Sequence, residues 1–468
     1  MALELYNSIS RKIEVFEPLK KDKAVGVYTC GPTVYDYITI GNCRTYLLGD
    51  IAVRVLKYND YDVKYVMNIT DVGHLTGDNE GNADTGIDRL EKGAKREGKT
   101  AWTVAEFYDK DFRDGYKRLN LIEPEKFCKA TDHIFEQIEL VKKLEENGLV
   151  YKINDGMYFD TVAYEAKGYH YGELSNLDQI KAGARVEFNQ EKRNARDFAL
   201  WKFSPVNEKR DMEWDSHWGV GFPGWHIECS AMSMKYLGEQ FDLHIGGEDL
   251  KSTHHPNEIA QSQGATGYSP FVKYWLHGAF LLVDGGKMGK SKGNAYTLHD
   301  LENKGISPLA LRYFYFSGHY RSPLNFTWEA LESSAHALQK IQDYYLEVGL
   351  PSKTGNIEET YKIKFLNTIN DDLNIPQALA VLWELVKDEK ITPENKKATL
   401  LDFDRVFGFG LADLKQEIIP DEINELVNQR EQARVSKDFA KSDELRDKIK
   451  EMGYELNDTD GGAKVRKM

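Results

Sequence analysis

The chain has 468 residues, 41% of them hydrophobic, with a formal net charge of −14. This length exceeds what a single core usually supports, so two to four domains are expected, with room for an enzyme. The negative balance excludes a protein that coats nucleic acid non-specifically, yet a local basic face could still grip RNA. Four cysteines without framework spacing, no apolar run of membrane-spanning length and no secretory pattern in Met1 to Asn7 point to a cytoplasmic chain with no membrane partner.

Val25-Gly26-Val27-Tyr28-Thr29 is a short β-prone run that breaks at Cys30-Gly31-Pro32. Leu47, Ile51 and Val55 then recur at helical spacing, and Val63 to Thr70 is again β-prone, so the chain opens as a βαβ unit of an α/β fold. From about Leu119 to Gly219 the character changes, with a helix near His133 to Asn147 and strand-like pieces such as Gly156 to Asp160. This stretch reads as an insertion. The α/β pattern resumes at Phe241 to Ile245 and runs through Ala279 to Val283, and helical periodicity dominates from about Leu311. Asp371 to Pro376 has the form of a capped helix entrance with Pro in the first turn. The last stretch, from about Pro420, alternates both charges on helical surfaces and ends in a basic tail.

Cys30, Cys229, His254 and Glu258 have the residue types of a zinc site able to hold an incoming sulfur, since zinc takes thiolate, imidazole and carboxylate ligands together. His254 and Glu258, four apart, share one face of a helix. Free cysteines are more often buried small hydrophobes, and Cys43 and Cys128 are read that way. Cys30 and Cys229 instead sit among Gly, Trp and His, where a packing role predicts aliphatic neighbours. Thr39-Ile40-Gly41-Asn42 lies between the first strand and its helix, a place suited to a nucleotide phosphate. Asp284 to Gly293 supplies glycines and the lysines Lys287, Lys290 and Lys292. It is not a P-loop, because Asp284 stands where that motif needs its first Gly.

Taken together these segments resemble the class I aminoacyl-tRNA synthetases and, within them, the cysteinyl-tRNA synthetases. Thr39 to Asn42 occupies the place of the family's His-Ile-Gly-His segment, and Lys287-Met288-Gly289-Lys290-Ser291 that of its Lys-Met-Ser-Lys-Ser loop. Tyr28 to Asp36, Asn68 to Asp71, Gly224 to Met232, His254 to Ser262 and Ser317 to Ser322 carry the more specific likeness to the cysteinyl branch.

The resemblance implies a Rossmann-like parallel-sheet catalytic domain, interrupted by an insertion and followed by a helical bundle and a small C-terminal module. The boundaries expected are 1–118 and 220–310 for the catalytic halves, 119–219 for the insertion, 311–419 for the tRNA-binding bundle and 420–468 for an anticodon-binding module. It further implies activation of L-cysteine by MgATP and transfer to tRNA(Cys), by a monomer holding one zinc ion on Cys30, Cys229, His254 and Glu258. Thr39, Asn42, Lys287 and Lys290 take the catalytic places. Gly41, Asn42 and Lys290 fall at ATP, and Thr70, Trp225 and His244 in the amino-acid pocket. His255 and Cys43 are left as structural neighbours, and Phe439 or Tyr454 as stacking partners for anticodon bases.

Two departures stand out, Thr39 and Asn42 for histidines and Gly289 for serine. They motivate one alternative, a non-catalytic RNA-binding relative; the other is a cysteine ligase with a small-molecule amine acceptor. A metalloprotease lacks support because no His-Glu-x-x-His occurs.

Overall fold

The computed structural model describes residues 1–78, 84–175, 189–205, 209–289, 292–348, 355–415, 420–459 and 462–467. It falls into two compact units, Met1–Leu411 and Ala412–Met468.

At the centre of the first unit is a five-stranded sheet built from β1 (Val25–Thr29), β2 (Val63–Ile69), β3 (Lys126–Lys129), β4 (Phe241–Gly247) and β5 (Val272–Gly278). The strands run β5-β4-β1-β2-β3, each parallel to its neighbours. Every residue of β1 and β4 is buried, as expected of strands covered on both faces. Helix α1 (Ile40–Tyr58) links β1 to β2. The chain then adds strands on one side of β1 and later on the other, so the order reverses between β1 and β4. In open α/β sheets that switch point, at the carboxyl ends of the strands, is where ligands bind. The exit of β1 passes so close to β2 that a Cβ on Gly31 would lie 1.8 Å from the Asn68 carbonyl oxygen. Only glycine fits there.

The expected insertion at 119–219 does not begin where its composition changes. Lys126–Lys129 is β3, paired in register with β2 through Met67 and Phe127. Lysines at both ends of a four-residue strand are typical of a sheet edge, and they mask the strand from a search for apolar runs. The span after β3 has its own four-stranded antiparallel sheet, from Val150–Ile153, Gly156–Phe159, Phe198–Phe203 and Gly221–Pro223. Helix Ile134–Glu146 packs there through Leu140, Val141 and Leu144, in one cluster with Phe159 and Phe198. The run through Ala279 to Val283 also divides, since Val272–Gly278 completes the parallel sheet and Leu281–Val283 joins a small separate one.

Helices Pro308–Tyr315, Trp328–Glu347, Glu359–Asn370, Ile375–Lys387 and Pro393–Phe407 form the helical region. As the sequence predicts, Asn374 caps Ile375–Lys387 with Pro376 in the first turn. A fully buried ion pair ties this region to α1. Arg312 meets the carboxylate of Asp50 at 2.6 Å, and its remaining donors reach the backbone oxygens of Leu119, Asn120 and Phe407. Asp50 also receives Arg54 and the N–H of Ile122. Removing one partner of such a pair leaves an uncompensated buried charge, at a cost of about 3–5 kcal/mol.

The second unit pairs helices Asp421–Val435 and Phe439–Glu451 with an antiparallel hairpin, Tyr454–Thr459 and Gly462–Lys467. Ile423, Leu426, Leu445, Ile449 and Leu456 form its core. Tyr454 packs against that core, whereas Phe439 is 64% exposed.

Candidate metal and substrate site

Three elements converge at the switch point. Cys30 leaves β1, its N–H donating to the Ile245 carbonyl of β4 at 3.0 Å. Helix α2 (Trp225–Leu237) presents Cys229, and α3 (His254–Thr266) presents His254 and Glu258 one turn apart. One ligand atom from each of Cys30, Cys229, His254 and Glu258 lies within 4.8 Å of the other three, and all four residues are buried. Sulfur, imidazole nitrogen and carboxylate oxygen gathered at that spacing are able to hold a metal ion. A second such group, Cys30, His244, His255 and Glu258, overlaps the first.

The electrostatics of the cluster already separate its charges. Burial raises the Cys30 thiol, and its hydrogen bond to Cys229 adds to the rise. For Cys229 burial opposes ionisation, but the bond from Cys30 and the nearby His254 outweigh it and bring the thiol down to about 6. Burial likewise opposes charge on His254 and Glu258. Glu258 and Cys229 nevertheless raise His254 to about 10, and His244 and His254 lower Glu258 to about 2. Ligands bind metals in their deprotonated forms, so a cation entering here displaces protons from His254 and Cys30.

A layer of partners holds these ligands. His244 Nε2 lies 2.8 Å from Glu258 Oε2, and its ring stacks on Trp275 at 4.5 Å. The structure therefore places His244 behind the carboxylate. His226 Nδ1 lies 3.0 Å from His254 Nδ1, and His255 Nε2 lies 3.4 Å from Cys30 Sγ. From His255 a chain continues to His277 at 2.8 Å and on to Ser8 at 2.7 Å. His226 and His277 were not singled out from the sequence. For His226 the available signal was its place beside Trp225 and three residues before Cys229; His277, alone between Leu276 and Gly278, offered none.

Trp225 is stacked between His74, at 4.0 Å and 5° between planes, and His254, at 4.4 Å and 30°. Thr70, at the end of β2, donates to Glu228 at 2.9 Å. Trp225 and Thr70 thus stand beside the ligand cluster through His254 and α2.

The segment Thr39 to Asn42 begins α1 as a reciprocal cap. Thr39 N–H and its hydroxyl both donate to Asn42 Oδ1, at 3.0 and 2.8 Å, while the Asn42 N–H donates back to Thr39 Oγ1 at 3.4 Å. The hydroxyl proton of Thr39 is thereby committed inside the cap. Asn42, exposed, has its oxygen turned inward, and its Nδ2 has no hydrogen-bond partner among the described residues. Met288 lies over this turn, its sulfur 3.3 Å from where a Cβ on Gly41 would be. The loop that carries exposed Lys287 is pinned by Asn294, which accepts from the Gly289 N–H at 2.8 Å. Lys290 and Ser291 lie outside the described residues.

The family model for the class I (C) catalytic domain of tRNA synthetases matches residues 15–336, and that for the cysteinyl-tRNA ligase anticodon binding domain matches residues 418–466. The chain belongs to the cysteine–tRNA ligase family. Among relatives, cysteine–tRNA ligase 1 of Burkholderia lata is 46% identical over 470 residues, covering 99% of this chain and 97% of that protein. The cysteine–tRNA ligase of Treponema denticola is 42% identical, with 100% of both chains covered. Among solved structures, Mycobacterium tuberculosis methionyl-tRNA synthetase in complex with methionyl-adenylate is similar at a TM-score of 0.56. That match has 15% identity and covers 83% of this chain and 90% of that one, so it speaks for the class I fold alone. No helix among the described residues is long and apolar enough to cross a membrane.

Proposed function

We propose that this chain activates L-cysteine with MgATP to give cysteinyl-adenylate and pyrophosphate, then transfers the cysteinyl group to the 3′-terminal ribose of tRNA(Cys). The observation that carries the reading is the convergence of Cys30, Cys229, His254 and Glu258 at the sheet's switch point, in a chain 46% identical along its length to a cysteine–tRNA ligase. Two sulfurs, one nitrogen and one oxygen suit zinc better than magnesium or calcium, which prefer oxygen shells. Bound there, zinc would supply a Lewis acid that favours a substrate thiol over the hydroxyl of serine. The chain's own residues supply the rest. Trp225 walls the pocket and Thr70 offers it a hydroxyl, while His244 and His226 hold the Glu258 and His254 ligands in place. Asn42 Nδ2 at the start of α1 and the exposed Lys287 are the side-chain donors offered to ATP phosphates, with Lys290 expected to join them when pyrophosphate leaves.

The match of residues 418–466 to an anticodon-binding domain favours tRNA as acceptor over a small amine. In this reading the first catalytic half runs through β3 to Lys129, the insertion follows it up to 219, and 220–310, 311–419 and 420–468 are the remaining functional divisions. Charging tRNA belongs with translation in the cytoplasm. One chain carries every residue named, so a monomer suffices.

The test pairs metal spectroscopy with catalysis. The purified chain should hold one zinc per molecule, with an added sulfur ligand at the zinc absorption edge when cysteine is supplied, and should catalyse cysteine-dependent ATP–pyrophosphate exchange and tRNA charging. Cys229→Ala should remove metal and exchange together. A metal shell indifferent to cysteine, or full cysteine affinity in Cys229→Ala, would defeat the thiol-recognition argument.

A further inference from the structure

The hydroxyl of Thr70 stands in a fixed order of donors and acceptors. Asn68 Oδ1 accepts from the Gly31 N–H at 2.7 Å. That bond turns Asn68 Nδ2, which can only donate, onto Thr70 Oγ1 at 3.0 Å. The Thr70 hydroxyl in turn donates to Glu228 Oε2 at 2.9 Å. A hydroxyl has one proton and two lone pairs. Burial raises the Glu228 carboxyl well above the usual carboxylate range, so Oε2 is read as the oxygen without the proton: Thr70 gives its proton to it, receives Asn68 on one lone pair and retains the other. All three side chains are buried, at 2%, 1% and 0% exposure for Asn68, Thr70 and Glu228, so bulk water does not rearrange the order. Glu228 is not in either group of candidate metal ligands, although its neighbour Cys229 is. Its second oxygen, Oε1, has no hydrogen-bond partner among the described residues. A buried carboxyl kept with one bond to Thr70 has a cost, and packing alone does not account for it.

We propose that Glu228, seconded by Asn68, is a positioning residue that fixes Thr70 as a hydrogen-bond acceptor and so makes it the selector for the ammonium group of the amino-acid substrate. An ammonium offers three donors and no acceptor, which matches the one lone pair Thr70 has left. Without an acceptor at position 228 the Thr70 proton is free to turn toward the substrate, and the pocket then meets an ammonium with a donor. The assignment rests on cysteine being the substrate, as proposed above.

The experiment titrates the metal-loaded full chain with L-cysteine and with 3-mercaptopropionic acid, which keeps the thiol and carboxyl but lacks the amino group. Glu228→Met removes the acceptor at similar length. Cysteine affinity should fall roughly ten- to a hundredfold, the loss of one hydrogen bond to a charged group, with metal content and affinity for the amino-free ligand unchanged. Glu228→Gln, whose carbonyl can still take the Thr70 proton, should restore most of the cysteine affinity. Equal losses for both ligands, or no loss for either, would overturn the assignment. Should Glu228→Met fail to fold, Thr70→Val and Thr70→Ser decide. Valine should lose affinity for cysteine alone while serine keeps it, and a valine variant that loses both ligands equally, or neither, overturns the proposal. If the unaltered chain binds the amino-free thiol acid but not cysteine, the assignment fails alone. If it binds neither, the functional reading falls with it.

Discussion

Both ring nitrogens of His254 have partners, and the chemistry of those partners decides which nitrogen is free to face a metal. Nε2 points to Glu258 at 3.0 Å and Nδ1 to His226 Nδ1 at 3.0 Å. Two Nδ1 atoms in contact need one proton between them. If His254 Nδ1–H donates to His226, then His254 Nε2 carries a lone pair on the side of Glu258, Cys229 and Cys30, as a metal-binding imidazole requires. Burial, with His254 next, lowers His226 to about 3, so it remains neutral and able to accept at physiological pH. His226→Ala is therefore expected to weaken metal binding about 10- to 100-fold in a chelator competition, the usual cost of losing the partner that orients a ligand. An unchanged affinity would show that Trp225 and Glu258 alone orient the ring. The four candidate ligands were legible in the sequence because their chemistry survives without a fold. Glu228, Asn68 and His226 were not, since their roles exist only as hydrogen-bond directions between α2, α3 and the end of β2.

At the scale of the element, α1 shows how two departures from the family's motif make one local structure. Thr39 and Asn42 cap each other, and a threonine cap contributes about 1 kcal/mol relative to a residue that cannot accept the N3 amide. A threonine in place of the histidine keeps a hydroxyl that could donate to phosphate. In the structure that proton goes to Asn42 instead, which leaves Asn42 Nδ2 as the outward donor of the pair. Thr39→His should thus separate two quantities that usually move together. Thermal unfolding should show a loss of about 1 kcal/mol from the broken cap, while the rate of pyrophosphate exchange holds or rises because an imidazole reaches the phosphates. A large loss of exchange in a folded variant would mean that the pocket has been rebuilt around the smaller side chain. The same comparison explains β3. Helix starts and buried strands announce themselves through caps and apolar runs, but a four-residue edge strand flanked by lysines is defined by its pairing with β2.

At the scale of the whole molecule, every residue named for metal, cysteine and ATP lies within Met1–Leu411, and Ala412–Met468 has a core of its own. Deleting 412–468 should leave cysteine-dependent pyrophosphate exchange largely intact and raise the KM for tRNA strongly. Charging by the shortened chain as good as that of the full one would remove the second unit as an anticodon reader. Its exposed Phe439, rather than the packed Tyr454, is the aromatic ring available to an unstacked base. Within the first unit the buried pair of Arg312 and Asp50 acts as a mechanical coupling. Asp50 lies eight residues beyond Asn42 on the same helix, about 12 Å at 1.5 Å per residue. A pull on the helical region therefore reaches the Thr39–Asn42 end of α1 along a single stiff rod, with no loop in the line of force to absorb it.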